Sequence, residues 1–442
     1  MFKTTYLKRQ FYIVMGVCIT ILLISYSYPK VFNLGKYLLF LALFISFVDW
    51  LILFFIKDKI SLERSVHEKL SMGDIQKIRY TLNNELNFSV DIEIFDEFPY
   101  QLQERTFSKA TALVPKVEKI YTHHIRPLSR GNYNFGNINA FVSNHYIGML
   151  ERKITYNQQA DVAVVPSIIQ MKKFELQVFS KTASLAGIRR IRQIGENDEF
   201  EHIKFYMQGD NIKAINWKAT SRKNQLMVNQ FQNSRSQMIY SIIDKGRSMK
   251  MPFNGLTLLD HSVNAALVIS NIILRKHDRA GLITFSEKIG SIVKAEANQS
   301  QLAKISSALY KQQTGFLESN FELMFYTLRR HLSRRSILFF YTNFETPLDL
   351  ERNLAFLKSL NKKHLLVVIS FVNTELIESS EMLCRSKSDI YFKTFAQKAL
   401  VDKEKIMDQL TIHGIQSILT RPEDLNINVI NKYLEIKAKR MQ

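Results

Sequence analysis

The sequence predicts three kinds of structure in one chain: an N-terminal two-helix transmembrane hairpin, an all-β sandwich, and an α/β domain on a parallel sheet. Three observations carry this reading. Residues 11–28 and 37–56 are almost wholly apolar, and runs of about 18–20 such residues are long enough to cross a bilayer. Short segments that alternate apolar and polar residues follow between turn signals, as at residues 90–94. Beyond residue 238, runs of β-branched and aromatic residues alternate with helix-length amphipathic ones. That is the pattern of strands buried on both faces by crossover helices.

A chain of 442 residues exceeds one ordinary core, so several domains are expected. The boundaries read as 1–60 for the hairpin, 61–175 for the sandwich, 176–237 for a connecting segment and 238–442 for the α/β domain. Sixty basic and 40 acidic residues leave a formal charge of +20. Such a charge favours an acidic partner: an anionic membrane surface, an acidic protein or a nucleic acid. The two cysteines, Cys18 and Cys384, form no ligand set and no disulfide framework, which suits a reducing compartment.

Pro29, Asn33 and Gly35 break the chain between the apolar runs. A cleavable signal peptide is the competing reading for the first run, but no small-residue cleavage site follows and a second span comes at once. Lys3, Lys8 and Arg9 precede the first run; Lys57, Lys59 and Arg64 follow the second; the loop holds only Lys30 and Lys36. The positive-inside rule then places both ends in the cytoplasm. The expected location is the bacterial inner membrane, multi-pass, with everything after residue 60 cytoplasmic. Asp49 lies inside the second run, where an acid is costly and a functional candidate. Pairing with Thr20, Ser25 or a partner subunit is the structural alternative.

Within 61–175, strands are predicted at residues 90–94, 114–121, 135–142 and 162–165. Gly73-Asp74, Asn83-Asn84, Arg130-Gly131-Asn132, Gly136-Asn137 and Gly148 mark turns, and this spacing suggests a β-sandwich. His123 and His124 are neighbours on a strand and point to opposite faces. No acidic or cysteine partner is spaced to help them hold a metal, so they read as structural. In the α/β region, strands are predicted at 238–243, 280–285, Ile337–Tyr341, Leu365–Phe371 and 417–419. Helices are predicted at 260–275 with Asp260 as cap, 301–311, Phe321–His331, 350–360, 395–413 closed by Gly414, and 427–439.

Residues 195–231 hold the most distinctive pattern. Glu196, Asp198, Glu199 and Glu201 open it; Gln208-Gly209-Asp210-Asn211 signals a turn; Lys213, Trp217, Lys218, Arg222 and Lys223 form a basic segment. The order resembles the signature of the DUF-58 family, a domain of unknown function. Glu199-Phe200-Glu201, Tyr206, Gly209-Asp210, Lys213, Ile215, Trp217 and Ser221-Arg222 fill its places, with Lys204 and Lys213 where many members carry Arg. Arg126, Arg130-Gly131 and Tyr133 resemble that family's Arg-Gly-aromatic turn. The candidate signature and interaction residues are therefore Glu199, Gly209, Asp210, Lys213, Trp217, Ser221 and Arg222. The Trp217 ring is expected to be buried at a domain joint.

The resemblance also implies a von Willebrand factor A-like, Rossmann-like parallel sheet. In such domains Asp-x-Ser-x-Ser and later Thr and Asp residues bind one divalent cation, usually Mg²⁺, through hard oxygen ligands. Here Gly246 takes the place of the first Ser, Asn343 that of the late Asp, and Lys245 and Arg247 add positive charge. Asp244, Ser248 and Asn343 form a degenerate metal set, with Thr257 or Thr342 as further oxygens. The competing reading is a metal-free docking cluster. No cofactor is expected, Mg²⁺ being the one alternative left open.

No phosphate-binding Gly-rich loop, metalloprotease His-Glu-x-x-His or Gly-x-Ser-x-Gly elbow occurs, so no catalytic residue is assigned. The expected function is a membrane-anchored protein-interaction module. The resemblance implies a MoxR-type AAA+ ATPase as partner, in assembling or activating other complexes. The alternative is a protein that binds an anionic polymer such as nucleic acid at the membrane through its basic surface. Its basic residues are spread along the chain and form no specific nucleic-acid module.

Overall fold

The computed structural model describes residues 4–25, 29–56, 59–104, 107–179, 199–207, 212, 215–232, 236–384 and 386–439, without the side chains of 29–31, 55, 199–202 and 230–232. The chain divides into two compact units, Met1–Ser167 and Ile168–Gln442.

The first unit opens with β1 (Thr5–Leu7), α1 (Arg9–Ser25) and α2 (Pro29–Phe55). Phe32–Phe54 of α2 is long and apolar enough to cross a membrane by length and composition; α1 is apolar but shorter. The two helices pack together, and a Cβ on Gly35 would come within 2.9 Å of Leu22 Cδ2. Small residues permit this kind of close helix approach. Strands follow: β2 (Ile60–Ser65), β3 (Lys69–Ser71), β4 (Gln76–Asn84), β5 (Val90–Asp96), β6 (Ser108–Leu113), β7 (Glu118–Ile125), β8 (Gly131–Phe135), β9 (Ile138–Asn144), β10 (Leu150–Tyr156) and β11 (Ala160–Val165). They form sheets ordered β1-β10-β9-β5-β6, β2-β4-β7 and β3-β11-β8.

Period-2 burial explains these strands. In β4, Ile78, Tyr80 and Leu82 are buried, while Lys77 and Arg79 face out. Inside the unit, Arg64 pairs with Asp96, whose other oxygen accepts the Tyr80 hydroxyl at 2.5 Å. Burial pushes the Asp96 carboxyl up, and the Arg64 charge pulls it back. A buried charge must be paired in this way.

Several sequence expectations change here. Residues 114–121 are not one strand, because the chain turns at Lys116 (φ 55°) between β6 and β7. The 135–142 run is likewise split between β8 and β9, at Gly136-Asn137. Apolar residues on either side of a tight turn mimic a continuous run. His123 does have an acidic partner: Glu104 Oε2 lies 2.7 Å from its Nε2. Asp49 bonds neither Thr20 nor Ser25, whose hydroxyls donate to Val17 O and Leu22 O within their own helix. Its Oδ2 accepts the backbone N–H groups of Met149 and Leu150 at 3.0 and 2.9 Å. Near it, Arg152 Nη1 donates to Leu53 O and Phe54 O at 2.9 Å each, satisfying carbonyls at the end of α2.

The second unit begins with α3 (Ile168–Phe179), whose Phe174 joins the core, so the first unit's strands end before residue 175. Next come β12 (Glu199–Phe205), α4 (Trp217–Lys223) and β13 (Met227–Gln232), with β12 and β13 paired antiparallel. The α/β part is β14 (Met238–Asp244), β15 (Pro252–Phe253), β16 (Leu256–Thr257), α5 (Leu258–Arg275), β17 (Arg279–Phe285), β18 (Ile289–Glu296), α6 (Gln301–Tyr310), α7 (Phe321–His331), β19 (Ile337–Tyr341), α8 (Pro347–Lys363), β20 (Leu365–Phe371), α9 (Thr374–Glu381), α10 (Lys387–Ile412), β21 (Gln416–Thr420) and α11 (Leu425–Lys439).

The main sheet is ordered β18-β17-β14-β19-β20-β21, parallel throughout except for the antiparallel edge strand β18. Alternate residues of β20 serve two cores. Val367, Ile369 and Phe371 pack with α5 and α11, while Leu366 and Val368 pack with α7, α8 and α10. Burial on both faces is why this strand reads as an almost continuous apolar run, with Ser370 its one polar residue. Thr257, not Asp260, is the N-cap of α5; Asp260 answers it as the third residue of a capping box. Helix α10 starts at Lys387, not 395, because Ser386 and Asp389 form another such box.

Candidate functional site at the carboxyl ends of the strands

The chain order places β17 on one side of β14 and β19 on the other. The loops beyond β14 and β19 therefore sit at the switch point where ligands bind in open α/β sheets. Asp244 ends β14 and is fully enclosed. Its Oδ1 accepts the Gly246 N–H at 2.8 Å and the Ser319 hydroxyl; its Oδ2 accepts the Thr342 hydroxyl at 2.7 Å. Burial raises the Asp244 pKa, and these three hydrogen bonds act against the rise. A Cβ at position 246 would press on the Ser319 hydroxyl, which would have to move away from Asp244.

This donor set does not fit Mg²⁺. The ion needs several oxygen lone pairs in near-octahedral array. Asp244 is the lone carboxylate, and two hydroxyls direct their protons at it. No hydrogen bond joins Ser248 to it among the described residues, and Thr257 is occupied as the α5 cap. Asn343 Oδ1 accepts a hydrogen bond from the Lys403 ammonium at 2.6 Å, so a cation already faces that oxygen. Among the described residues, no group of three or more His, Cys, Asp or Glu is placed to hold a metal.

Beside Asn343 opens a cavity of about 340 Å³. Met251, Phe253, Leu258, Phe371, Leu376 and Phe395 give it apolar walls. Lys403 of α10 lines it and donates to Asn343 Oδ1 and to Phe344 O. Burial lowers the Lys403 pKa to about 8, while the charges of Glu345 and Asp349 partly restore it. Neither Ser319 nor Lys403 was flagged by the sequence. Ser319 lies in a loop 75 residues from Asp244, and Lys403 sits among other lysines on an amphipathic helix, where it reads as solvated.

The signature residues lie elsewhere in this unit. Gly209, Asp210 and Lys213 fall outside the described residues, as does the Glu199 side chain. Asn216 caps α4 by accepting the Ala219 N–H at 3.0 Å. Ser221 donates back to Lys218 O at 3.1 Å, and Arg222 is exposed in the last turn. Trp217 is not buried as expected: it is 69% exposed. The helix is only seven residues long and turns Ala219 and Thr220 inward, where Thr220 Oγ1 accepts the Met227 N–H at 3.0 Å. Trp217, on the first turn, is left facing solvent. Phe205, Met207, Ile212 and Leu226 are also exposed around it in sequence.

Known proteins resemble parts of this chain. The solved structure of the conserved hypothetical protein BatB from Bacteroides thetaiotaomicron is 11% identical, covers 46% of this chain and 99% of its own, and has a TM-score of 0.30. The ASH/PapD-like domain of human CEP192 is 9% identical, covers 25% of this chain and 89% of its own, with a TM-score of 0.19. The uncharacterized protein YeaD of Bacillus subtilis (strain 168) is 21% identical over 183 residues, 40% of this chain and 45% of that relative's length. Residues 202–378, which run from the Trp217 signature through the Asp244 loops, match the model of the family described as "Protein of unknown function DUF58".

Proposed function

We propose that this chain is a membrane-anchored, cytoplasmic protein-interaction module. In this reading it works beside a MoxR-type AAA+ ATPase in assembling or activating other complexes. The observation that carries the reading is the pairing of β1 with β10. Strand β1 precedes both apolar helices and β10 follows them, yet they are neighbours in one sheet. The intervening chain then crosses a bilayer an even number of times or not at all, so α2 does not cross alone. In the proposed reading the two helices cross as a hairpin, α1 beside α2. The 17 residues of α1 reach about 26 Å, a few ångströms short of the ~30 Å hydrocarbon core, and local thinning absorbs such a mismatch. The Lys and Arg distribution orients the pair with both ends in the cytoplasm of a bacterial inner membrane.

The docking part of the proposal is supported by the strand-end cavity and by the exposed apolar side chains around Trp217. The von Willebrand factor A-like reading of the α/β part belongs to the same proposal. It is supported by the parallel order around β14 and by the Asp244, Ser319 and Thr342 cluster. Reporter fusions after Lys59 and at Gln442 should both report cytoplasm; a periplasmic signal at either overturns the orientation. The full chain in lipid nanodiscs should retain a MoxR-type ATPase from the same genome and change its ATP turnover. No retention in any nucleotide state counts against the partner. Nucleic-acid binding with a steep salt dependence would favour the anionic-polymer alternative instead.

A further inference from the structure

We propose that the strand-end cavity is a binding site for a carboxylate carried on an apolar body, with the Lys403 ammonium as the group that receives the acid. The volume of about 340 Å³ lies in the range of small-ligand sites, which are mostly apolar with a few placed polar groups. The six apolar wall residues supply the first part of that description and Lys403 the second. Its two hydrogen-bond acceptors, Asn343 Oδ1 and Phe344 O, are both uncharged.

Among the described residues this enclosed ammonium is hydrogen-bonded only by neutral acceptors and has no carboxylate at ion-pair distance, Glu345 and Asp349 acting on it only from further off; burying a charge without a close partner is costly. The lowered Lys403 pKa expresses that cost. The other charged groups that line the cavity or act on this ammonium are Glu345, Asp349, Lys398 and Asp402. Asp402 is engaged by Lys405 at 3.5 Å, and Glu345 is exposed. Neither forms an ion pair with Lys403 among the described residues. A ligand carboxylate entering the cavity supplies the missing charge, and its apolar body covers Phe253, Leu376 and Phe395. The same chemistry is offered by a small aryl or alkyl acid and by the free C-terminus of an apolar peptide.

This inference concerns one cavity of the second unit and holds whether or not an ATPase is the partner. The test uses the full chain in phosphatidylcholine nanodiscs, with empty nanodiscs as blank. Two probe pairs are titrated by calorimetry: 3-phenylpropionate against 3-phenylpropanol, and N-acetyl-Leu-Phe free acid against its amide. At pH 7 at least one acid should bind at least tenfold more tightly than its neutral match, and the pair that shows this identifies the source. Lys403→Met should remove that preference, and Phe395→Asp, an exposed rim change that leaves the core intact, should weaken the acid more than its match. The preference should shrink as pH is raised from 7 to 10 and the ammonium is lost. Equal binding of acid and neutral match, a preference that survives Lys403→Met, or no saturable binding of any probe overturns the proposal.

Discussion

Asp49 Oδ2 accepts the backbone N–H of Leu150 at 2.9 Å, and that of Met149 at 3.0 Å, across about a hundred residues of sequence. The carboxylate on the long apolar helix is therefore a fastening to strand β10. Asp49→Ala should leave two amides without an acceptor and destabilise this unit by ~1–3 kcal/mol. Hydrogen exchange at Met149 and Leu150 should quicken, while Asp49→Asn, which keeps one acceptor oxygen, should show a smaller change. Unaltered exchange in Asp49→Ala would mean the fastening is unimportant.

Trp217→Ala should change stability by no more than ~0.5 kcal/mol, as surface substitutions do, because the ring is mostly solvent-exposed. A buried ring would instead cost ~3–5 kcal/mol on truncation. Chemical unfolding of the full chain in nanodiscs separates the two values cleanly.

Lys403 makes stability depend on alkaline pH. Its folded-state pKa is lowered to about 8 from a usual 10.5. Between those values the unfolded chain binds more protons than the folded one, so stability rises with pH across the window. Relative to Lys403→Met, the wild type should gain up to about 3 kcal/mol between pH 8 and 10.5. A flat difference across this range would show that the ammonium is solvated in the folded state.

Mg²⁺ and Mn²⁺ should give no saturating heat in the micromolar range with the full chain. Gly246→Ser, which returns a hydroxyl to the loop, should destabilise the fold and create no site, because its Cβ meets the Ser319 hydroxyl. A saturating heat abolished by Asp244→Ala would show that the hydroxyls of Ser319 and Thr342 turn their lone pairs to a cation.

Much of the second unit was legible from local pattern. Leu365–Phe371 and Ile337–Tyr341 are buried on both faces, and their nearly continuous apolar runs, interrupted at Ser370, answer that requirement. Phe321–His331 carried its own helix signals, from the Asn320 cap to the basic last turn. The second apolar run announced itself by length alone. These features are short-range: each depends on residues within a few positions of one another, and burial leaves its mark directly on their type.

Long-range pairing left no such mark. Strand β1 is three residues long and finds β10 only because the intervening helices return the chain to the same sheet edge. Ser319, between α6 and α7, meets Asp244 at the end of β14, and Lys403, on α10, meets Asn343 just past β19, across 75 and 60 residues of sequence. Trp217 was misread for the same reason. A large apolar ring is as compatible with an exposed helix start as with a core, and only the packing of Ala219 and Thr220 against β13 decides which face of α4 is turned inward. The sequence by itself determined the type of the long, strongly periodic segments, since that follows from local propensity and periodicity, but not the turns that split residues 114–121 and 135–142. The tertiary structure alone decided which distant side chains meet, since that depends on topology.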